Sequence, residues 1–437
     1  MCTPMQEPID LLIKRQLEEP ELVAKEKSER LLRVLELRSP DRVPVGGIGG
    51  DIIPYYGGIT WYDLSYNYED GERVLQGILK FAAEIPQDFP FISAPYGIQG
   101  SIIAVAFSDN PLFLRSTLPY MGPDLLRGPV HDIMQDKWTK WPGRELGVDY
   151  HPQFIGGEFM KPEEYRYLIE DPVGFVNNTI LPRACPGLGK PGSPQWNASL
   201  VTIGILYQKM VSFMKTLFAE LGRKGHTGFP ISAAHVPADM IGDFMRNPTG
   251  AILDMRRYPD DFKAACEALM KPILKFATAV PPSPPVTLAL IPLHLNEMLS
   301  PKLYNEFYWP YLKKIISELL GKGYKIFMLI EGDHTPHLDT LLELPKGWGI
   351  GWFERPRSFI KVWETLKGHT TVMGGVPTTL LAGGTPEKIE EYVKNLISNI
   401  KPEGGFIIAP SVMELPRETP LSNIRAFINA VEKYGRY

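Results

Sequence analysis

The stretch Tyr324–Pro336, YKIFMLIEGDHTP, decides the fold. An apolar run from Ile326 to Ile330 stops at Glu331, Gly332, Asp333 and His334, and Pro336 follows. A short apolar run closed by a glycine turn and a proline suits a buried strand that gives way to a helix start. Asp333 would then be the N-cap and Pro336 would sit in the first turn. A cap accounts for Asp333 and Pro336 but not for Glu331, which falls where the strand should still be partly buried. Two carboxylates and an imidazole at a strand end form a group that can hold a metal or move a proton.

The same unit repeats on either side. Upstream, ISAAHV (231–236) reads as a strand followed by the helix PADMIGDFM, and a long helix covers about 259–279. The strand TLALIPLHL (287–295) precedes a helix that opens at Ser300-Pro301 and runs to Gly321. Downstream come a helix at about 336–343, the strand GWGIGWF (347–353), the helix SFIKVWETL (358–366) and the strand TTVMGGV (370–376). Thr385-Pro386 opens a further helix, GGFIIAP (404–410) is the last strand, and 420–434 the last helix. Short apolar strands alternating with longer helices predict parallel βα units. No GxGxxG follows a strand and opens a helix, which disfavours a dinucleotide fold. The predicted architecture is a (β/α)₈ barrel, 43–437, with a helical N-terminal extension, 1–42. In the extension, 8–38 is helical and interrupted at Pro20. VPVGGIGGD (43–51) reads as the first strand, and about 55–225 as a loop-rich insertion with short strands such as FISAPYG (91–97).

Composition excludes several functions. The chain has 437 residues, 44% hydrophobic and 22% charged, which suffices for a large core. A formal net charge of −4 argues against a nucleic-acid binder. No apolar run reaches the roughly 18 residues of a membrane span, and the charged N-terminus does not read as a signal peptide. Cys2, Cys185 and Cys266 form no close pair, so neither a disulfide framework nor a cysteine-only zinc site is expected, and a reducing cytoplasm is the natural compartment. The sequon at Asn197 then reads as chance.

In a barrel, residues at the C-terminal ends of the strands face the active site. Those candidates are Asp51, His235, His294, Glu331, Asp333, His334, Glu354 and the region Ser411–Glu414. Glu331 is the first choice as ligand or general acid, against a buried salt bridge. His294 could lie beside it across adjacent strands, or be a core histidine. Asp239 and Asp333 are catalytic candidates that could equally be caps. Asp51 and His235 are expected to bind substrate. Trp352 and Phe353 could stack on an aromatic donor or fill the core, and Tyr55 and Tyr56 are weaker candidates. Glu331, His294 and His334 form the expected metal set. Tyr304, Phe307, Tyr308 and Tyr311 space as a packing face of one helix.

EMLSPKLYNEFYWPYLKKII (297–316), KGYKIFMLIEGD (322–333), VMGGVPTTLLAGGTPEKIEEYVKNLI (372–397), GGFIIAP (404–410) and the ending TPLSNIRAFINAVEKYGRY make the C-terminal half resemble the uroporphyrinogen decarboxylase-like superfamily. Together with AAHVPADMIGDFMRNPTGAILDMRRYP (from Ala233), they resemble its corrinoid-dependent methyltransferase branch in particular. The resemblance implies a (β/α)₈ barrel and methyl transfer involving the cobalt of a separate corrinoid protein. Two departures matter. Porphyrinogen decarboxylases carry an arginine-rich motif after the first strand, and here that place reads GGIGGDIIPYYGG. Thiol-methylating members hold zinc with a His-x-Cys pair and a later cysteine. Here those positions are Leu329, Glu331 and the stretch SVMEL (411–415).

A harder oxygen and nitrogen site suits polarising an oxygen rather than a thiolate. The expected reaction therefore moves a methyl group from a methoxy donor, an aromatic methyl ether, to Co(I) of the corrinoid protein, with the leaving oxygen stabilised by zinc or by an acid. The alternatives are a decarboxylase or other lyase, and a non-catalytic corrinoid-binding accessory barrel. Barrels of this superfamily can form homodimers.

Overall fold

A computed structural model describes residues 8–67, 70–89, 98–117, 126–355, 357–400, 404–412 and 414–437. The protein is mixed α/β. Its main sheet has six parallel strands in sequence order. A two-residue antiparallel pair, β1 (Thr139–Lys140) and β2 (Gln153–Phe154), lies apart from it. The main sheet comprises β3 (Ile231–Ala233), β4 (Leu288–Leu293), β5 (Lys325–Ile330), β6 (Gly349–Phe353), β7 (Thr371–Val376) and β8 (Phe406–Pro410). Every one of these strands lies inside its predicted stretch. The strands read as continuous apolar runs because both faces are covered.

The two faces sort by alternation. Leu288 and Leu290, Phe327 and Leu329, Ile350 and Trp352, Met373, Ile407 and Ala409 form one buried cluster with Phe89. Their neighbours Ile291, Met328, Ile330, Phe353, Val372 and Ile408 belong to a second cluster shared with the helices. Phe89 meets Phe327 edge-on at 5.3 Å, and Phe327 stacks on Trp352 at 6.2 Å, so aromatic rings join this cluster from one strand to the next.

The stretch read as a first strand pairs by single bridges. Val45 bridges Ile408 and Gly46 bridges Phe89, both parallel. Gly50 adds a parallel bridge to Leu415, and both Gly47 (φ 72°) and Gly50 (φ 87°) lie in the left-handed region. A Cβ at Gly47 would lie 2.7 Å from the Trp352 ring, so only glycine lets the backbone pass there.

The N-terminal extension folds as two helices, Pro8–Glu18 and Pro20–Leu35. Leu31, Val34 and Leu35 enter the interior cluster, and Thr371 at the start of β7 donates to the Val34 carbonyl at 2.7 Å. Arg30 and Arg42 both reach the buried Asp88 at 2.6 Å, and Asp88 accepts the Val45 amide at 2.8 Å. The extension thus covers the strand starts and leaves the strand ends to other residues.

The insertion is helical, not loop-rich. It contains Gly71–Glu84, Ile98–Ala106, Pro111–Thr117, Gly128–Met134 and the long helix Pro194–Arg223, and its only strands among the described residues are β1 and β2. Many of its prolines stand in the first turn of a helix, where the missing N–H costs nothing. FISAPYG (91–97) lies outside the described residues. Among the described residues no helix is long and apolar enough to cross a membrane.

Candidate active site at the strand ends

β3 ends just before His235, and the helix Pro237–Phe244 follows at once. Asp239 and Asp243 stand one turn apart on that helix. β4 ends at Leu293 and places His294 beside it. The Asp243 Oδ2 lies 2.9 Å from His235 Nε2 and 2.6 Å from His294 Nδ1. The other edge of the His294 ring faces Glu331, with Nε2 3.4 Å from Oε1. A buried carboxylate therefore gathers two imidazoles, and the second reaches out to Glu331, which is 38% exposed at its side chain.

Asp239 supports this group from behind. Its carboxylate accepts the Leu295 amide at 2.8 Å, the His294 amide at 3.3 Å and the Tyr308 hydroxyl at 2.6 Å. Tyr308 is delivered by a π-turn, Tyr304–Tyr308, inside the helix that starts at Pro301. Pro310 has no N–H to give the preceding turn, and the widened turn accommodates that loss.

Charge follows from these contacts. Burial alone would lower the His294 pKa, but Asp243 and then Glu331 outweigh it and raise it well above the usual value. Burial alone would raise Asp243, yet His294 and His235 hold it well below the ordinary carboxylate range. Asp239, fully buried, is pushed up to about 6 by burial, with His294 opposing and Asp243 adding. The geometry therefore favours the charged form of His294, with Asp243 as its nearest partner.

A second group comes from the other strand ends. Asp51 closes the first-strand stretch, Glu354 follows β6, and Glu414 lies beyond β8. Asp51 accepts from Trp61 Nε1 at 2.9 Å and lies 3.0 Å from His151 Nδ1, whose Nε2 is 3.7 Å from Glu414. The Gly332 amide donates to Glu354 at 3.1 Å, and the Glu354 amide to the Ile330 carbonyl at 3.0 Å, which ties Glu331 and Glu354 together. Burial raises the pKa of Glu414, and Asp51, Glu331 and Glu354 add to it against His151. Glu354 is likewise raised by burial and by Glu331.

The structure thus brings together His235, His294, Asp239, Glu331, Asp51 and Glu354. It takes others elsewhere. Asp333 accepts from Arg357 Nε at 2.6 Å and from the Thr335 amide at 3.1 Å; it holds the turn before the helix Thr335–Glu343, whose N-cap position is His334 and not Asp333 as expected. His334 is buried against Tyr304 and His337, 3.2 Å from the Asn296 amide nitrogen, and burial pulls its pKa down to about 3. It does not join the expected metal set. Trp352 is wholly buried, stacks on Phe327 and donates to the Pro410 carbonyl at 3.0 Å, while Phe353 faces the helix layer, so both fill the core. Tyr55 is exposed, the Tyr56 hydroxyl donates to the Thr419 carbonyl at 2.9 Å, and Ser411 accepts the Thr378 amide at 3.1 Å.

Sequence reasoning missed three residues. Asp243 had a signal, four residues after Asp239 on a helix. Tyr308 was hidden inside an aromatic packing face. His151 gave none, because it comes from the insertion, next to β2.

Among the described residues, His235, Asp243 and His294 can offer donor atoms that all lie within 4.8 Å of one another. Two imidazoles and a carboxylate suit zinc, and the second edge of His294 on Glu331 is the outer contact such a ligand uses. The described cysteines, Cys185 and Cys266, are free and buried and contribute nothing to this group.

The fold, the strand-end site and the sequence meet in one family. Residues 207–434, just over half of the chain, match the profile of the family described as Uroporphyrinogen decarboxylase (URO-D), and the chain belongs to that family. Among solved structures, a methyltransferase from Methanosarcina mazei matches with a TM-score of 0.58 and 16% identity over 93% of this chain and 98% of that one. That likeness is one of fold. No curated protein matches the sequence.

Proposed function

We propose that this protein takes a methyl group from a methoxy donor, an aromatic methyl ether, and passes it to Co(I) on a separate corrinoid protein. The observation that carries this reading is the place of His294 between Asp243 and Glu331 at the end of β4, where both carboxylates favour its protonated form. Breaking an ether carbon–oxygen bond leaves an alkoxide or phenolate, a poor leaving group that needs a proton or a positive charge at the oxygen. In this reading the donor oxygen lies against His294 Nε2. The methyl carbon leaves for cobalt in one displacement, the bonding electron pair stays on oxygen, and the Nε2 proton neutralises it. Asp243 holds the ring and its charge, Asp239 fixes the backbone beneath it, and Glu331 returns a proton from solvent.

In a zinc-bound form His235, Asp243 and His294 would hold the metal with His294 neutral, and its Lewis acidity would take the place of the His294 proton at the same oxygen. The stretch GGIGGDIIPYYGG has no arginine for porphyrinogen carboxylates, which supports a methyltransferase over a decarboxylase. The methyltransferase named above shares the fold, which agrees with this choice. We also read the sheet as closing into a (β/α)₈ barrel, with 43–50 and the segment ending at Phe89 as the two remaining strands, 1–42 as a helical extension and the rest of 55–225 as an insertion. A reducing cytoplasm suits Co(I) and the free thiols.

The test is anaerobic. Protein, reduced cobalamin or a cognate corrinoid protein, and a panel of methoxyaromatics, methanol and methylamines are followed by absorbance. Growth of the methyl-Co(III) spectrum with methoxyaromatics is expected. Silence with every donor and both acceptors removes the reading. Zinc content, measured alongside in the wild type and in Asp243→Ala, should fall in the variant.

A further inference from the structure

The demethylase reading leaves the donor's charge open, and the strand ends speak to it. Asp51, Glu331, Glu354 and Glu414 arrive from four strand ends, and Asp243 lies just behind. The positive groups facing them are already shared. His294 lies between Asp243 and Glu331, and His151 between Asp51 and Glu414. Among the described residues the only arginine paired with these carboxylates is Arg355, at 3.3 Å from Glu354 and 3.6 Å from Glu297. Arg357 is drawn to Asp333, and Arg417 to Asp149 and Glu418.

We propose that this site takes an uncharged methyl ether and rejects donors that carry a carboxylate. The inference rests on the demethylase reading and names its donor class. An anionic ring would meet an excess of negative charge with no arginine fork to bind its carboxylate, and a mismatch of this kind costs affinity directly. The raised pKa values of Glu354 and Glu414 agree, since each reflects burial and neighbouring acids. A cationic methylammonium donor fits less well. Its leaving group is a neutral amine that needs no proton at the departing atom, so an acid placed there has nothing to do.

A matched pair decides the matter: 2-methoxyphenol and 4-hydroxy-3-methoxybenzoate share the ring and the leaving oxygen and differ by one carboxylate. With the full-length protein, kcat/KM should favour the uncharged donor by about 100-fold, mainly through KM. Glu354→Gln should narrow that ratio by roughly tenfold, because it removes one carboxylate from the mouth and keeps its shape. Equal turnover of both donors, or a preference for the carboxylate, overturns the inference and leaves the demethylase reading standing. An unchanged ratio in Glu354→Gln overturns the electrostatic cause. Turnover of neither donor overturns both readings together.

Discussion

His294 is the residue on which the chemistry turns. Its charge is set by Asp243, so Asp243→Asn should lower its pKa and move the alkaline limb of the pH–rate profile to lower pH. Activity at neutral pH should fall by about 10²–10³-fold, within the range of a lost general acid. Histidine titration by NMR reads the pKa directly, and an unmoved limb would detach His294 from the reaction. The same pair sets a stability window. A histidine raised in the folded state stabilises fully below its unfolded pKa, and this is lost as pH rises through the folded one. Asp243, depressed when folded, stabilises above the ordinary carboxylate pKa, and this is lost as pH falls through the folded one. Asp333 makes the contrast. Its ion pair with the largely exposed Arg357 is screened, so Asp333→Asn should cost under about 1 kcal/mol and leave turnover within a few-fold of the wild type. The difference between Glu331 and Asp333, two positions apart, is which partner the turn presents to each.

At the scale of elements, the strands fixed the site and the helices tuned it. Trp352 was a candidate for stacking on a donor, and its burial inside the sheet gives it a different role. Trp352→Ala should cost about 3–5 kcal/mol in urea unfolding, with KM for the donor unchanged in what remains folded. A large rise in KM with little loss of stability would return Trp352 to the site. Thr335–Glu343 shows how local spacing selects geometry. Leu338, Leu341 and Leu344 are buried and three apart, which suits the 3₁₀ helix observed better than the α-helix expected there. The π-turn at Tyr304–Tyr308 has a consequence at the site. Tyr308→Phe removes a hydroxyl from Asp239 and should cost about 1–3 kcal/mol, as buried acceptors left short of a donor do.

For the molecule as a whole, polarity is divided between its two ends. Ion pairs at the strand starts are structural. Asp88 has no exposure and serves both Arg30 and Arg42, whose charges hold its pKa below the usual range although burial pushes the other way. Its contribution is present above the unfolded carboxylate pKa and is lost as pH falls toward the folded value. Asp88→Asn should therefore lose about 3–5 kcal/mol at neutral pH, and the wild-type advantage should shrink in acid. Denaturant melts at pH 7 and pH 3 test this, and a constant difference between the two would refute the linkage.

The sequence by itself determined the alternation of strands and helices from 231 onward, because apolar runs, N-cap serines and first-turn prolines are local signals. It also determined that polar side chains stand at the strand ends, and so named His235, His294, Glu331, Asp51 and Glu354. Tertiary structure alone decided which of them meet. Asp243 joins two histidines across a helix and a strand, and His151 arrives from an insertion whose path no local pattern encodes. Contacts between residues more than 50 apart, such as His294 with Asp243, depend on how the sheet curves and the helices pack. Neither quantity is written in any short stretch of chain.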